Sequence, residues 1–146
     1  MDRLIKELLS EESLDREPNL TANNEVEDIV KLFRKIVKYE KKQVMNGYLF
    51  GKEIIKQREE YYLLVKDRKT AAEQVNKEIF KGTIGYSYRY IVGESLRAIK
   101  VYEMLKEIGE ERVSRIKTTG WSTISRLNKD EKQYVINGVK EKENNS

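Results

Sequence analysis

The sequence predicts an all-α protein, and three observations support that fold class. The 146-residue chain holds one Pro and eight Gly, so few positions interrupt a helix. Glu, Lys, Arg and Leu, which are strong helix formers, are abundant along it. Apolar residues recur at the three- and four-residue spacing of a buried helix face. We expect an N-terminal helical hairpin followed by a helix-turn-helix core.

Composition excludes several classes of chemistry. The chain has no His and no Cys, which removes disulfides, thiolate nucleophiles, zinc fingers and catalysis by histidine. The sequence contains no Gly-rich phosphate-binding loop, and its acidic residues are scattered at helix-surface spacing. We therefore predict that the protein is not an enzyme and uses no cofactor and no metal, although a carboxylate-only Mg²⁺ site stays open.

Targeting signals are not found in the sequence either. No apolar run approaches the roughly 20 residues of a membrane helix. Residues 1–10 carry Asp2 and Glu7, whereas a signal peptide has an uncharged apolar stretch. These observations favour a cytoplasmic protein without a membrane partner.

The charge is divided unevenly along the chain. The formal net charge is +4. Residues 1–28 hold nine acidic and three basic residues, a net of −6, whereas residues 29–146 hold 26 basic and 16 acidic residues, a net of +10. A basic body favours a polyanionic partner, and the alternative is a set of solvated Lys/Glu helix faces.

Residues 1–20 form an acidic arm and a linker. Leu4, Ile5, Leu8 and Leu9 share one helical face, which predicts a short amphipathic helix, and a polar linker follows from Pro18. An isolated helix of this length is marginal in water. It docks on the body, docks on a protein partner, or frays. From the charge asymmetry, the arm is also a candidate cover for the basic surface.

Residues 21–66 are predicted to form a helical hairpin that is core or dimer interface. The first helix is capped by Asn24 and stops at Asn46-Gly47, and the second follows directly. Their apolar positions are Val26, Ile29, Val30, Phe33, Ile36, Val37 and Val44 in the first helix, and Tyr48, Leu49, Ile54, Ile55, Tyr61, Tyr62 and Val65 in the second.

Residues 67–108 have the layout of a helix-turn-helix. Thr70 and Glu73 match a capping box in front of a helix predicted over residues 71–80. A turn over residues 82–85 follows, and a second helix runs from Tyr86 to about Ile108. In this motif the second helix enters the major groove, where its first residues meet base edges.

Residues 109–140 predict a second, weaker unit of the same kind. A short helix ends at Lys117, and a turn leads to a helix that begins at Trp121. The core side of this helix is Trp121, Ile124 and Leu127, and its outward side is Ser122, Thr123, Ser125 and Arg126. Asn128 and Glu131 can cap a last helix, and residues 141–146 read as a disordered tail.

Two segments of this region resemble a known family. The string KTAAEQV at 69–75, a Gly-containing turn and YSYRYI at 86–91 resemble the helix-turn-helix of small plasmid- and phage-borne DNA-binding proteins. The string TGWSTISRLNKDEK at 119–132 resembles the segment that comes next in many of them. This group is similar in layout to the ParB-type DNA-binding core and covers about residues 67–140. The chain departs from the pattern at Thr123, where Lys is commoner, and carries no CTP-binding segment.

Thirteen residues are predicted to contact DNA. They are Lys69, Lys81, Ser87, Tyr88, Arg89, Tyr90, Arg97, Lys117, Thr118, Ser122, Thr123, Ser125 and Arg126. Arg can bind guanine with two hydrogen bonds, and Lys, Ser, Thr and Tyr can contact phosphates. The alternative for Arg89 and Arg97 is a helix surface paired with Glu94. At least one of the tyrosines at 86, 88 and 90 belongs to the core, because positions two apart on a helix face different ways.

The resemblance implies a sequence-specific double-stranded DNA-binding protein of a plasmid, phage or virus. Its role is transcriptional control, replication or partition, and a homodimer is expected because palindromic sites mirror a two-fold protein. The alternative is a small helical protein-interaction module or an inhibitor of a host factor. The acidic arm and the helical hairpin suit that alternative.

Overall fold

The computed structural model describes residues 2–10, 29–38, 44–116 and 119–144. These residues contain helices and no strand, which confirms the all-α fold class. The helices are α1 (Asp2–Leu9), α2 (Ile29–Lys38), α3 (Val44–Val65), α4 (Arg68–Gly82), α5 (Tyr88–Leu105), α6 (Glu110–Val113), α7 (Trp121–Ser125) and α8 (Lys129–Asn144). The predicted cap Asn24 lies outside the described residues.

The long helices α3 and α5 cross at the centre of the fold and pack most extensively on each other. Gly51 of α3 lies at the crossing, where an added Cβ would sit 2.2 Å from the carbonyl oxygen of Ala98. Ala98 and Ile54 are fully buried beside it. The glycine therefore allows the two backbones to approach closely.

Helix α3 continues through Asn46-Gly47, so the predicted helix stop at this dipeptide is wrong. Both residues are buried. A Cβ on Gly47 would lie 2.9 Å from the indole ring of Trp121, which packs against the bare backbone. Tertiary packing overrides the local preference of Asn-Gly for a turn.

Helix α4 packs against α3 and begins earlier than predicted. Its N-cap is Asp67, whose carboxylate accepts hydrogen bonds from the backbone N–H of Thr70, at 3.0 Å, and from its hydroxyl. Thr70 is therefore inside the helix and is not the cap. Since these bonds favour the charged carboxylate, the pKa of Asp67 is lowered.

The amphipathic helix α1 docks on the body, against α8 and α6. Leu4 and Leu8 are buried. The Tyr134 hydroxyl of α8 donates to Asp2 Oδ1 at 2.8 Å, and Arg112 Nη1 of α6 donates to the Leu8 carbonyl at 3.2 Å. Of the three outcomes predicted for α1, docking on the chain itself is the one observed.

Helix α8 begins with the predicted capping box. The backbone N–H of Glu131 donates to Asn128 Oδ1 at 2.8 Å, and the backbone N–H of Asn128 donates to Glu131 Oε1 at 3.0 Å. The helix continues to Asn144. Residues 141–144 are therefore helical where a disordered tail is predicted, because Val135 and Val139 bury one face of α8 and hold the helix on the core.

Candidate nucleic-acid interface

The turn between α4 and α5 is closed by hydrogen bonds from the chain itself and from α2. The backbone N–H of Thr83 donates to the Phe80 carbonyl at 3.3 Å, and its buried hydroxyl donates to the Ile79 carbonyl at 3.1 Å. Arg34 Nη2 of α2 donates to the Gly82 carbonyl at 2.8 Å. The basic side chain of Arg34 is thereby held at the turn, although Arg34 is not among the residues predicted from the sequence to contact DNA.

Ser87 is the N-cap of α5. Its hydroxyl oxygen accepts a hydrogen bond from the backbone N–H of Tyr90 at 3.1 Å, and the helix begins at Tyr88, two residues later than predicted. The side chain is exposed. Its first role is to satisfy a free N–H of the helix start, which is also why Ser is favoured there.

The tyrosines at the start of α5 divide between packing and surface. Tyr86 and Tyr90 stack with ring centroids 5.6 Å apart, and both meet Phe33 edge-on, at 5.4 and 6.3 Å. Burial is the main cause that raises the pKa of Tyr90. Tyr88 packs edge-on against Phe80 at 5.8 Å, outside the buried core. Tyr90 is therefore a packing residue, and Tyr88 remains near the surface.

The outward face of α5 is basic over its first four turns. Arg89, Arg97 and Lys100 are exposed on it, together with Leu96, which is 50% exposed. Between Tyr88 and Tyr102 the one acidic residue is Glu94, and it is 3% exposed. No carboxylate therefore shares this face until Glu103.

Arg97 forms the ion pair that was its alternative assignment. Its Nη1 donates to Glu94 Oε1 at 3.0 Å. The Arg97 side chain is 45% exposed, whereas that of Glu94 is 4% exposed. The guanidinium thus compensates a buried carboxylate and still reaches the surface of the basic face. Arg89 has no ion pair with Glu94.

The two predicted lysines of α4 lie at opposite ends of that helix. Lys81 is exposed beside the turn and pairs with no carboxylate among the described residues. Lys69 is exposed in the first turn of the helix, twelve residues and roughly 18 Å away. The structure brings Lys81 close to the start of α5 but not Lys69.

The second predicted unit is built from very short helices. Helix α6 has four residues and α7 has five. Trp121 and Ile124 are fully buried, and Ser125 is also buried, so its prediction as an outward-facing contact is wrong. Ser125 follows the fully buried Ile124, and the helix packs on α5. Thr123 and Arg126 are exposed.

Three other predicted contacts of that unit receive no structural description. Lys117 and Thr118 lie outside the described residues, and so does the side chain of Ser122. The candidate interface consists of the α4–α5 turn and the outward face of α5. We use the name α5 face for one residue at the end of α4 together with the outward residues of α5. They are Lys81, Arg89, Gly93, Leu96, Arg97 and Lys100.

Gly93, Leu96 and Lys100 belong to the α5 face but were not selected from the sequence. They follow Arg89 by four, seven and eleven residues, which is the spacing of one helical face. A Cβ on Gly93 would meet nothing within 4 Å, so the surface is open there. Periodicity alone indicates these three positions, whereas the helix-turn-helix pattern points only to the first turn of the helix.

The chain has no detectable relative in three comparisons. Protein-family models, curated proteins and solved structures yield no match. In the ranges that the structure describes, no three acidic side chains group as a metal site requires. None of the described helices combines the length and apolar character needed to cross a membrane.

Proposed function

We propose that this protein binds double-stranded DNA through the α5 face. The observation that carries the proposal is that this face exposes no carboxylate. Between Tyr88 and Tyr102 the basic side chains of Arg89, Arg97 and Lys100 are exposed, whereas the one acidic residue, Glu94, is buried. An α-helix fits the major groove of B-DNA, and basic side chains with no acidic neighbours attract phosphates. Exposed Glu103 and Glu107 end the basic stretch, so α5 up to Tyr102 is the part directed at DNA.

Each group of the α5 face has chemistry suited to this role. Arg89, in the first turn of α5, can donate two hydrogen bonds to guanine O6 and N7. Leu96 can contact a thymine methyl group, as apolar side chains do in the major groove. Lys81 and Lys100 flank these residues and can neutralise phosphates. Gly93 leaves space for close approach of the helix to base edges.

The resemblance at residues 69–91 and 119–132 supports a role in transcriptional control, replication or partition for a plasmid, phage or virus. It also supports a homodimer, since such sites are usually palindromic. Within the second unit, Arg126 and Thr123 remain candidate contacts because they are exposed. They are expected to contribute less than the α5 face.

The decisive experiment selects bound fragments from a random duplex DNA pool at two salt concentrations. We expect enrichment of a defined sequence, and an affinity whose logarithm falls linearly with the logarithm of salt concentration. The double variant Arg89→Ala with Lys100→Ala should lose most of this affinity. Selection without any enriched sequence, together with no shift of duplex DNA at low salt, would contradict the proposal.

A matched control separates the α5 face from net charge. Lys6→Ala with Lys129→Ala removes the same two positive charges from exposed positions on α1 and α8. Its affinity for DNA should stay close to that of the unaltered protein. If the two double variants lose equal affinity, binding is a diffuse charge effect and the α5 face is not the interface.

A further inference from the structure

The far end of the α3–α4 pair carries an exposed apolar cluster. Leu63, Leu64 and Val65, the last three residues of α3, are 67%, 78% and 44% exposed. The three residues are consecutive and form one contiguous apolar patch, the kind of surface that serves as an interaction site in many proteins. We call residues 60–69, which contain this cluster, the α3–α4 tip.

The inner side of the α3–α4 tip is already occupied by contacts between the two helices. The Tyr61 hydroxyl donates to Glu78 Oε1, which is the main cause that raises the pKa of Tyr61. Arg68 Nη1 donates to Glu59 Oε1 at 2.8 Å, and its guanidinium lies 4.0 Å from the ring centroid of Tyr62. Beyond Ile54 no residue of α3 is buried. The leucines therefore point away from a pair of helices that is complete without them.

Unpaired charges of both signs flank the apolar cluster. Glu60 lies before it, and Lys66 and Lys69 lie after it. All three are exposed and form no ion pair with any residue in the described part of the chain. Glu60 and Leu64 are four residues apart and so share one face of α3. The residues before the leucines are mainly acidic, with Glu59 and Glu60. Those after them are mainly basic, with Lys66, Arg68 and Lys69 against Asp67, whose carboxylate caps α4.

We propose that the α3–α4 tip is the interface of a homodimer, with a two-fold axis beside Leu63. In a two-fold symmetric contact, a residue i of one copy that contacts residue j of the other is matched by j of the first copy contacting i of the second. Glu60 of one copy then faces Lys66 of the other, and the same pair forms twice. The leucines of the two copies meet between these pairs.

The distribution of charge favours a second copy of this chain over other occupants. A surface with an acid on one side and a base on the other complements itself when rotated by 180°. An anionic lipid surface would meet the carboxylates of Glu59 and Glu60. Three apolar side chains supply less than the roughly 800 Å² per partner of a standard interface, so we expect a weak dimer that dissociates on dilution.

This dimer, taken together with the proposed DNA binding, sets the spacing of the two DNA contacts. Helix α4 has 15 residues, or roughly 22 Å, and joins the tip at its start to the turn at its end. Two copies of α4 laid end to end span roughly 45 Å. Inclination of the helices shortens this toward the roughly 34 Å of one DNA helical turn. A palindrome with half-sites one turn apart is the expected target.

Charge reversal tests the pairing directly, and analytical ultracentrifugation of the full chain without DNA measures it. Glu60→Lys and Lys66→Glu should each raise the dimer dissociation constant roughly tenfold or more, because like charges then meet at both symmetric positions. The Glu60→Lys chain carries two bases at the interface and the Lys66→Glu chain two acids. An equimolar mixture of the two variants should therefore dimerise again, as should the double variant.

Two further variants test the leucines. Leu63→Asp should abolish the dimer, whereas Ile84→Asp, which alters an exposed apolar residue of the α4–α5 turn, should leave it intact. A chain that stays monomeric at every concentration overturns the proposal, and so does a mixture that dimerises no better than its components. Monomers that pellet with phosphatidylserine vesicles, and lose this with Leu63→Asp, also overturn it and assign the tip to anionic lipid.

The dimer and the proposed function fail separately. Mass measured without DNA does not depend on the α5 face. If Arg89→Ala with Lys100→Ala abolishes DNA binding while the tip variants leave the mass unchanged, the dimer is wrong and the DNA proposal stands. If the tip variants behave as expected and no duplex binds, the DNA proposal is wrong and the dimer stands.

Discussion

The two regions in which the sequence predicts a helix-turn-helix differ in the helix that follows each predicted turn. After the first turn, α5 runs for 18 residues and exposes Arg89, Arg97 and Lys100 along its outer side. After the second turn, α7 runs for five residues and buries Trp121, Ile124 and Ser125. Both regions have the same sequence signals, a Gly-containing turn and a polar helix start. In the first region the helix presents an exposed basic face, and in the second it is mostly buried in the core. The length of the helix after the turn separates the two cases. The 18-residue α5 places several residues along one outward face, whereas the five-residue α7 is too short to do so.

The largest expected effect comes from the buried region. Trp121→Ala should lower the free energy of unfolding by about 3–5 kcal/mol, because a fully buried indole against Gly47 leaves a large cavity. Urea unfolding followed by circular dichroism measures this. Trp121→Phe, which keeps an aromatic ring, should cost less. A loss below about 1 kcal/mol for the alanine variant would mean that the second region is not part of the core.

The next effect separates the two regions as DNA contacts. Arg89→Ala should weaken DNA binding by about 1–3 kcal/mol, or roughly 5- to 150-fold, if it reads a base, with no change in thermal stability. Arg126→Ala should weaken binding by less. Fluorescence anisotropy with a selected duplex gives both values under one condition. An equal or larger loss at Arg126 would reverse the ranking of the two regions.

A smaller effect is expected at the N-terminal cap of α8. Asn128→Ala removes one half of the reciprocal capping pair and should lower the free energy of unfolding by about 1 kcal/mol. Asn128→Asp supplies an equally good cap and should keep most of the stability. Thermal melts of the two variants compare them, and DNA affinity should be the same in both. Equal melting temperatures for the alanine and aspartate variants would show that the cap adds nothing.

The smallest effect belongs to the start of α4 in the first region. The pKa of Asp67 is lowered from its usual 3.8 by hydrogen bonds from Thr70. Since protonation is then easier in the unfolded chain, this contribution to stability is present above pH 3.8 and is lost as pH falls through the lower, folded value. Asp67→Asn keeps a capping side chain but does not titrate. Stability curves between about pH 2 and pH 6 should fall less steeply for the variant, and parallel curves would contradict this assignment.

Local signals predicted the helices well where their cause is local. The capping pair of Asn128 and Glu131 forms as the S/T/N-x-x-E pattern predicts. The core position of Trp121 and the helix over residues 71–80 are also confirmed. The candidate site was predicted in part, because the α4–α5 turn was found but Lys100 was not.

Other features could not be read from the sequence because their cause lies in distant residues. Ser125 appeared to face outward on a longer helix, yet α7 ends there, packed on α5. Val65 fitted the apolar stripe of α3, yet it is exposed together with Leu63 and Leu64. Periodicity identifies an apolar residue but not whether another element reaches it.

The sequence by itself determined the helical class, the capping pair of Asn128 and Glu131, the α4–α5 turn, and the basic character of residues 29–146, since each depends on residues close together along the chain. Only the tertiary structure decided which basic residues share one exposed helix face and which apolar residues remain exposed to solvent. Helix α3 continues through Asn46-Gly47 because Trp121 packs on Gly47, and α5 crosses it because Gly51 meets Ala98. Close packing of distant side chains made these choices, and such contacts depend on the whole fold.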